Sequence, residues 1–197
     1  MTRAISRRLL CTATGLAVMQ GCGSRQQTAV PTPTNQPTPA RVLPLSRVIV
    51  LETAGPPPSD TTVSFAAGTP RVIVLNHGPP ENIVFARIRF AATAFADSGQ
   101  TVRVEARPRP GVYGLELTTS PPLRGDTRVE FDYARYFSAS LRAQQVYRSV
   151  QAFERAVAVG RLLPDNQIEL LPSINEGPDR VSAAISGSGT YLVAAPQ

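Results

Sequence analysis

Apolar and polar residues alternate along much of the chain after residue 40, which is the pattern of half-buried β-strands. In TVRVEAR, Val102 and Val104 point to one face and the charged residues between them point to the other. Similar segments, rich in valine, isoleucine or aromatic residues, are RVIVLE (47–52), TVSFAAG (62–68), RVIVLNHG (71–78), NIVFARIRF (82–90), GVYGLELTT (111–119) and TRVEFDYARYF (127–137). Together they predict an all-β domain.

Segments rich in proline and glycine separate these predicted strands, and GPPPSD, NHGPPEN, RPRPG and TSPPLRGD are typical turns. Their spacing favours an antiparallel β-sandwich. The pentapeptide RVIVL occurs at 47–51 and again at 71–75, but no similarity extends beyond it. We therefore interpret the two copies as two buried strands and not as an internal repeat.

The stretch from 138 to 160 departs from the strand pattern. Leu141, Val146 and Val150 fall near helical spacing, which predicts one short helix or crossover near 139–150. The β pattern then returns in ERAVAVGRLL (154–163), IELLPS (168–173) and RVSAAISGSGTYLVAA (180–195). We expect three more strands there.

The amino-terminal residues have the layout of an export signal. MTRAISRRLL carries three arginines and no acid, and an apolar run of about ten residues follows, too short to span a bilayer. The next residues, Met19, Gln20, Gly21 and Cys22, resemble a lipobox, the cleavage site of bacterial lipoproteins. That resemblance implies cleavage between Gly21 and Cys22 and attachment of a diacylglyceryl group, with further acylation, to the Cys22 thiol.

Other interpretations of this segment remain open. An ordinary signal peptidase would leave Cys22 as a free thiol, and the apolar run alone also fits a short buried helix. Ser6, Arg7, Arg8, Leu9 and Leu10 resemble the front of a twin-arginine signal, so export through either route is compatible with the sequence. Gly23 is not the aspartate that retains enteric lipoproteins in the inner membrane, so the resemblance implies the outer membrane where one exists.

The residues after the cysteine predict a disordered linker. GSRQQTAVPTPTNQPTPA, residues 23–40, is rich in proline and threonine and has too few apolar residues to form a core. As an extended polyproline-type segment, at about 3.1 Å per residue, it reaches about 55 Å. The predicted organisation is a signal peptide (1–21), a lipidated cysteine with its linker (22–40) and one β-sandwich domain (41–197). A plain disordered tail is the alternative for the linker.

Charge and cysteine content narrow the function classes. The chain has a formal net charge of +6, and losing the three arginines of residues 1–21 lowers it to +3. This small excess does not indicate nucleic acid binding. If Cys22 is acylated and Cys11 leaves with the signal, no thiol remains for a disulfide, so the domain depends on its hydrophobic core.

The carboxyl-terminal segment carries a second resemblance. VAVGRLLPDNQIELLPS followed by VSAAISGSGTYLVAA resembles the end of the sandwich domain shared by ankyrins, netrin receptors and zona-occludens proteins. Gly189, Thr190 and Tyr191 stand at the family's Ser-Thr-Tyr motif, with Gly189 replacing the usual serine. The resemblance implies an interaction or structural module without catalysis.

Candidate chemistry is sparse. His77 is the sole histidine and lies in a proline-rich turn, so a zinc site would need carboxylates for its other ligands. No G-x-S-x-G element is present. We therefore predict no metal, cofactor or catalytic residue. Glu130 and Asp132 share one strand face, which is compatible with a carboxylate pair and also with ordinary exposed acids.

A candidate anion-binding surface lies around 103–111, where Arg103 and Arg107 share a strand face and Arg109 follows in the turn. A solvated strand face is the alternative, because Glu105 lies between the first two arginines.

The sequence thus favours a lipid-anchored β-sandwich protein of the cell envelope that has a structural role or binds a protein or glycan partner. We expect it to perform no catalysis and not to bind nucleic acid. The alternative is an envelope hydrolase using His77 with a serine or a carboxylate.

Overall fold

The computed structural model describes residues 40–177 and 179–197, and it confirms an all-β fold of antiparallel sheets. Two α-helices, α1 (Leu141–Val146) and α2 (Val150–Ala156), and one 3-10 helix (Leu45–Arg47) accompany the strands. The strands are β1 (Arg41–Pro44), β2 (Val48–Val50), β3 (Glu52–Thr53), β4 (Thr61–Ala66), β5 (Arg71–Asn76), β6 (Val84–Phe90), β7 (Thr101–Pro108), β8 (Gly114–Ser120), β9 (Thr127–Asp132), β10 (Phe137–Ser138), β11 (Ala158–Leu163), β12 (Gln167–Leu170), β13 (Ser173–Asn175), β14 (Arg180–Ile185) and β15 (Gly189–Pro196).

Two large sheets form the sandwich. The eight-stranded sheet has the order β1-β12-β11-β15-β8-β7-β4, with β2 also paired to β15. The five-stranded sheet has the order β13-β14-β9-β6-β5, and β3 pairs separately with β10. β4 and β5 are consecutive in the chain, and each pairs within a different sheet, so the turn between them carries the chain from one sheet edge to the other.

The core lies between the sheets because alternate side chains of each sheet point inward. Val102, Val104 and Leu117 of the eight-stranded sheet and Phe85 and Phe131 of the five-stranded sheet are fully buried in one cluster. A smaller cluster on the other side of the eight-stranded sheet includes residues of β2, β11, β12 and β15. β15 is therefore apolar on both faces, which explains the continuous run YLVAA.

The crossover differs from the predicted single helix near 139–150. Ser140 and Ser149 each accept a hydrogen bond from the backbone N–H three residues later, so two short capped helices form with extended backbone at Tyr147 between them. The helical part also extends to Ala156, into the segment predicted as a strand. The three strands expected after the crossover are five, because turns divide both later segments.

Candidate functional site

The predicted anchor lies outside the described residues. This applies to Gly21, to Cys22, to the signal segment 1–21 and to the linker up to residue 39. Within residues 40–177 and 179–197, no helix is long and apolar enough to cross a membrane. The same part of the chain contains no group of three or more histidine, cysteine or acidic side chains placed to hold a metal ion.

The predicted anion-binding arginines lie on the outer face of β7 and in the turn after it. Glu105 forms ion pairs with both strand arginines. Arg103 Nη2 lies 2.9 Å and Arg107 Nη2 lies 3.1 Å from its carboxylate oxygens. Glu116 of β8 also lies opposite Arg107 in the sheet register. Arg109 is exposed, and its backbone N–H donates to the Gly114 carbonyl oxygen. Acidic side chains therefore offset most of the positive charge on this face.

His77 is buried against aromatic rings and lies just before the turn at residues 79–81, not within the turn as predicted. Its side chain is enclosed by the rings of Phe85, Tyr113 and Tyr136, with centroid distances of 5.2, 6.1 and 4.7 Å, and the residue is 1% exposed. Nδ1 lies 2.8 Å from the Pro56 carbonyl oxygen. Nε2 has no hydrogen-bond partner among the described residues.

Among the described residues, no hydroxyl or carboxylate forms a hydrogen bond with the His77 ring, so these contacts do not form a hydrolase triad. A general base needs a hydroxyl or carboxylate within hydrogen-bond distance of its ring. In the described part of the chain, the hydrogen bond of the His77 ring goes to a backbone carbonyl. The nearby acid, Glu81, instead accepts hydrogen bonds from Arg135 at 2.7 Å and from the Tyr136 hydroxyl at 3.1 Å.

Titratable groups near His77 respond to burial and to pairing. The hydrogen bond from Arg135 holds the pKa of the Glu81 carboxyl below its usual value, so this acid is ionised at neutral pH. Burial raises the pKa of Tyr113 to about 12, which keeps its hydroxyl protonated. Gly55 lies directly against the Tyr136 ring, and a Cβ at this glycine would overlap the ring. The contacts of Gly55 and Glu81 with Tyr136 therefore join the segments before β4 and after β5 to the segment after β9.

A second arginine cluster lies on the outer face of the five-stranded sheet. Glu130 of β9 receives Arg87 Nη1 at 2.6 Å and Arg89 Nη2 at 3.3 Å, both from the neighbouring strand β6. Its side chain is only 3% exposed, although it points away from the core residues Val129 and Phe131. The long arginine side chains cover it.

The network continues across the sheet. Arg128 Nη1 donates to Ser182 Oγ at 3.0 Å, and Ser182 Oγ donates to Glu176 at 3.0 Å. Arg89 and Arg128 stand directly opposite each other on β6 and β9. Asp132, next on the same face, lies 3.8 Å from Arg87, and burial raises the pKa of its carboxyl.

Two grooves border strand β5. One, of about 430 Å³, lies at the end of the five-stranded sheet and is lined by Arg71, Val72, Arg89, Phe90, Asp126 and Arg128, among others. The other, of about 400 Å³, lies between β4 and β5, and its lining includes Val63, Phe65, Arg71 and Ile73. Arg71 and Val72 line both grooves. The two grooves therefore adjoin and form one concave surface around the edge strand β5.

The sequence alone did not predict the arginine cluster around Glu130. Its signals are present in FARIRF and TRVEFD, where Arg87, Arg89, Arg128 and Glu130 occupy alternate positions. Alternation shows only that these residues share a face of their own strand. That the two segments are adjacent, with Arg87 opposite Glu130, depends on a pairing between residues far apart in the chain.

No family model, curated protein or solved structure matches the chain. The two resemblances drawn from the sequence, to bacterial lipoproteins and to the ankyrin-type sandwich domain, therefore stay predictions.

Proposed function

We propose that this protein is a lipid-anchored β-sandwich of the cell envelope that binds a partner and performs no catalysis. The observation that carries the proposal is the position of Cys22, directly after Gly21 at the end of a short apolar run. A thiol at this position is suited to form the thioether of a bacterial lipoprotein. Two or three acyl chains on one residue give stable membrane attachment, which a single chain does not.

The length of the linker and the grooves of the described domain both support this proposal. The domain's first strand begins at Arg41, so residues 23–40 lie between the attachment residue and the sandwich. At about 3.1 Å per residue, this segment is long enough to hold the domain tens of ångströms from a bilayer. The grooves around β5 are the concave surfaces on which a partner is expected, and the outer membrane is the expected location where one exists.

Mass spectrometry of the mature amino terminus tests the anchor. In a bacterial host labelled with a palmitate analogue, the wild-type chain is expected to begin at an acylated Cys22 and to fractionate with membranes. The Cys22→Ser chain is expected to lose the label and to retain residues 1–21. Cys11→Ser is the matched control, because the apolar run that holds Cys11 is removed by cleavage; it is expected to behave as wild type. An unmodified or uncleaved wild-type product contradicts the proposal.

A further inference from the structure

The edges of the two sheets differ in their protection against another strand. The eight-stranded sheet ends at β1 and β4, and the five-stranded sheet ends at β13 and β5. β1 has four residues and closes on Pro44, and β13 has three residues. Short strands and proline protect an edge from pairing. β4 and β5 have six residues each and contain no proline, so among these four sheet ends β4 and β5 are the open edges.

Strand β5 is the apolar one of the two open edges. Val72 and Val74 point away from the core and are each 46% exposed, whereas Ile73 and Leu75 are buried in it. The exposed positions of β4 are Thr62, Ser64 and Ala66, which are small or polar. Exposed β-branched side chains on an unpaired edge favour the addition of a further strand.

The groove between the two edges suits the inner face of such a strand. Its volume is about 400 Å³, and half-buried Val63 and Phe65 of β4 lie on one side of it with Ile73 of β5 on the other. Alternate side chains of a strand paired with β5 would point into this groove. Val63, Phe65 and Ile73 therefore favour apolar residues at alternate positions of the added strand, beside Thr61, Ser64 and Arg71, which also line the groove.

The outer face selects acidic residues at the positions between them. In the sheet register Val72 lies opposite Arg89, and Arg89 lies opposite Arg128. Both arginines line the groove of about 430 Å³, in which Asp126 is the acidic residue. Arg71 belongs to the inner face with Ile73, and its guanidinium lies over the Phe65 ring, 5.4 Å from the centroid. Arg89 is about half exposed even while it contacts Glu130. Glutamate and aspartate are the side chains that complement these arginines.

We propose that β5 is a strand-addition site for an extended segment of a partner protein in which apolar residues alternate with acidic residues. Backbone hydrogen bonds to β5 supply the pairing, the apolar side chains enter the groove beside β4, and the acidic side chains face Arg89 and Arg128 on the outer face. This inference rests on the binding role proposed above and names its partner class.

Two other candidate partners complement strand β5 less well, namely a second copy of this chain and residues 23–39 of the chain itself. A second copy paired through β5 brings the same arginines and supplies no acidic side chain for them within β5. Residues 23–39 of this chain contain four prolines and no acidic residue, so they lack both the donors and the charge that the site selects.

A synthetic peptide tests the proposal on the full chain in detergent micelles. The probe has about eight residues, alternating glutamate and valine, with blocked termini, and a lysine–valine peptide of equal length is its control. We expect saturable binding of the acidic peptide by calorimetry, and slower amide exchange within residues 71–76. The Val72→Glu, Val74→Glu double variant is expected to weaken binding by about tenfold or more. Val42→Glu, on the exposed edge strand β1, is the matched control and is expected to leave binding unchanged.

Several results would overturn the proposal. These are no binding of the acidic peptide at millimolar concentration, equal binding of the two peptides, or equal effects of the β5 and β1 variants. A wild-type dimer that the β5 variant dissociates would assign the edge to a second copy instead. The Cys22→Ser chain is expected to bind the peptide like wild type, so failure of the anchor and failure of the strand site are distinguishable.

Discussion

The two large sheets carry the same charged motif in different surroundings, one glutamate between two arginines. On the eight-stranded sheet, Arg103, Glu105 and Arg107 follow one another on a single strand, and the glutamate side chain is 26% exposed. On the five-stranded sheet, Glu130 receives Arg87 and Arg89 from the neighbouring strand, and its side chain is 3% exposed. Contact distances overlap, at 2.9 and 3.1 Å in the first motif and 2.6 and 3.3 Å in the second.

Burial, and not composition, distinguishes the two motifs. Water solvates the charges of the exposed motif whether or not they are paired, so pairing adds little free energy. Glu130 has lost most of its water, and its arginines replace that solvation. The buried motif is therefore expected to matter for stability, and the exposed one chiefly for the net charge of its face.

Removing the buried carboxylate is the strongest way to break this comparison. We expect Glu130→Ala to lower the free energy of unfolding by about 3 kcal/mol, because Arg87 and Arg89 lose their shared partner and face Arg128 unscreened. Urea denaturation followed by circular dichroism measures the change. Glu130→Gln, which keeps the shape and one acceptor, is expected to lose about half as much. A loss no larger than that of Glu105→Ala would show that burial does not separate the motifs.

Removing each arginine in turn sharpens the comparison within the buried motif. Arg87 is less exposed than Arg89, contacts Glu130 at 2.6 Å and lies near Asp132, whereas Arg89 contacts it at 3.3 Å and also faces Arg128. We expect Arg87→Ala to cost about 2 kcal/mol and Arg89→Ala about 1 kcal/mol or less. Double-mutant cycles with Glu130→Ala measure the two couplings. Equal coupling energies would contradict the assignment of Arg87 as the main partner.

Local pattern was enough to predict the strands but not their neighbours. The alternation in TVRVEAR correctly places Val102 and Val104 in the core and the charged residues outside, because a strand's faces depend only on its own sequence. The burial of Glu130 depends on residues of β6 more than 40 positions earlier, at 87 and 89. An isolated strand gives no indication of that register.

The histidine illustrates the same limit at the candidate site. The sequence predicts that His77 lies within the turn LNHGPPEN, but the turn follows it at residues 79–81. The His77 ring is covered by Tyr113 and Tyr136 from distant segments. The interpretation of RVIVL at 71–75 as a buried strand is wrong, because Val72 and Val74 of β5 are each 46% exposed. The sequence could not separate this copy from the one at 47–51, since the two pentapeptides are identical. Only the sheet order shows that the second copy ends a sheet.

Removing the exposed carboxylate is expected to have the smallest effect on stability. Glu105→Ala should change the free energy of unfolding by about 0.5 kcal/mol or less, and molar salt should abolish the change because the screening length falls to about 3 Å. Urea denaturation at low and high sodium chloride measures both.

The Glu105→Ala variant is also expected to change anion binding, and here it should strengthen an interaction and not weaken one. Without Glu105, the guanidinium groups of Arg103 and Arg107 lose the acid that neutralises them and add to the charge of exposed Arg109. We expect the Glu105→Ala chain to bind a sulfated polysaccharide more tightly than wild type at low salt, measured by calorimetry. Equal affinities would mean that Glu105 does not limit anion binding on this face.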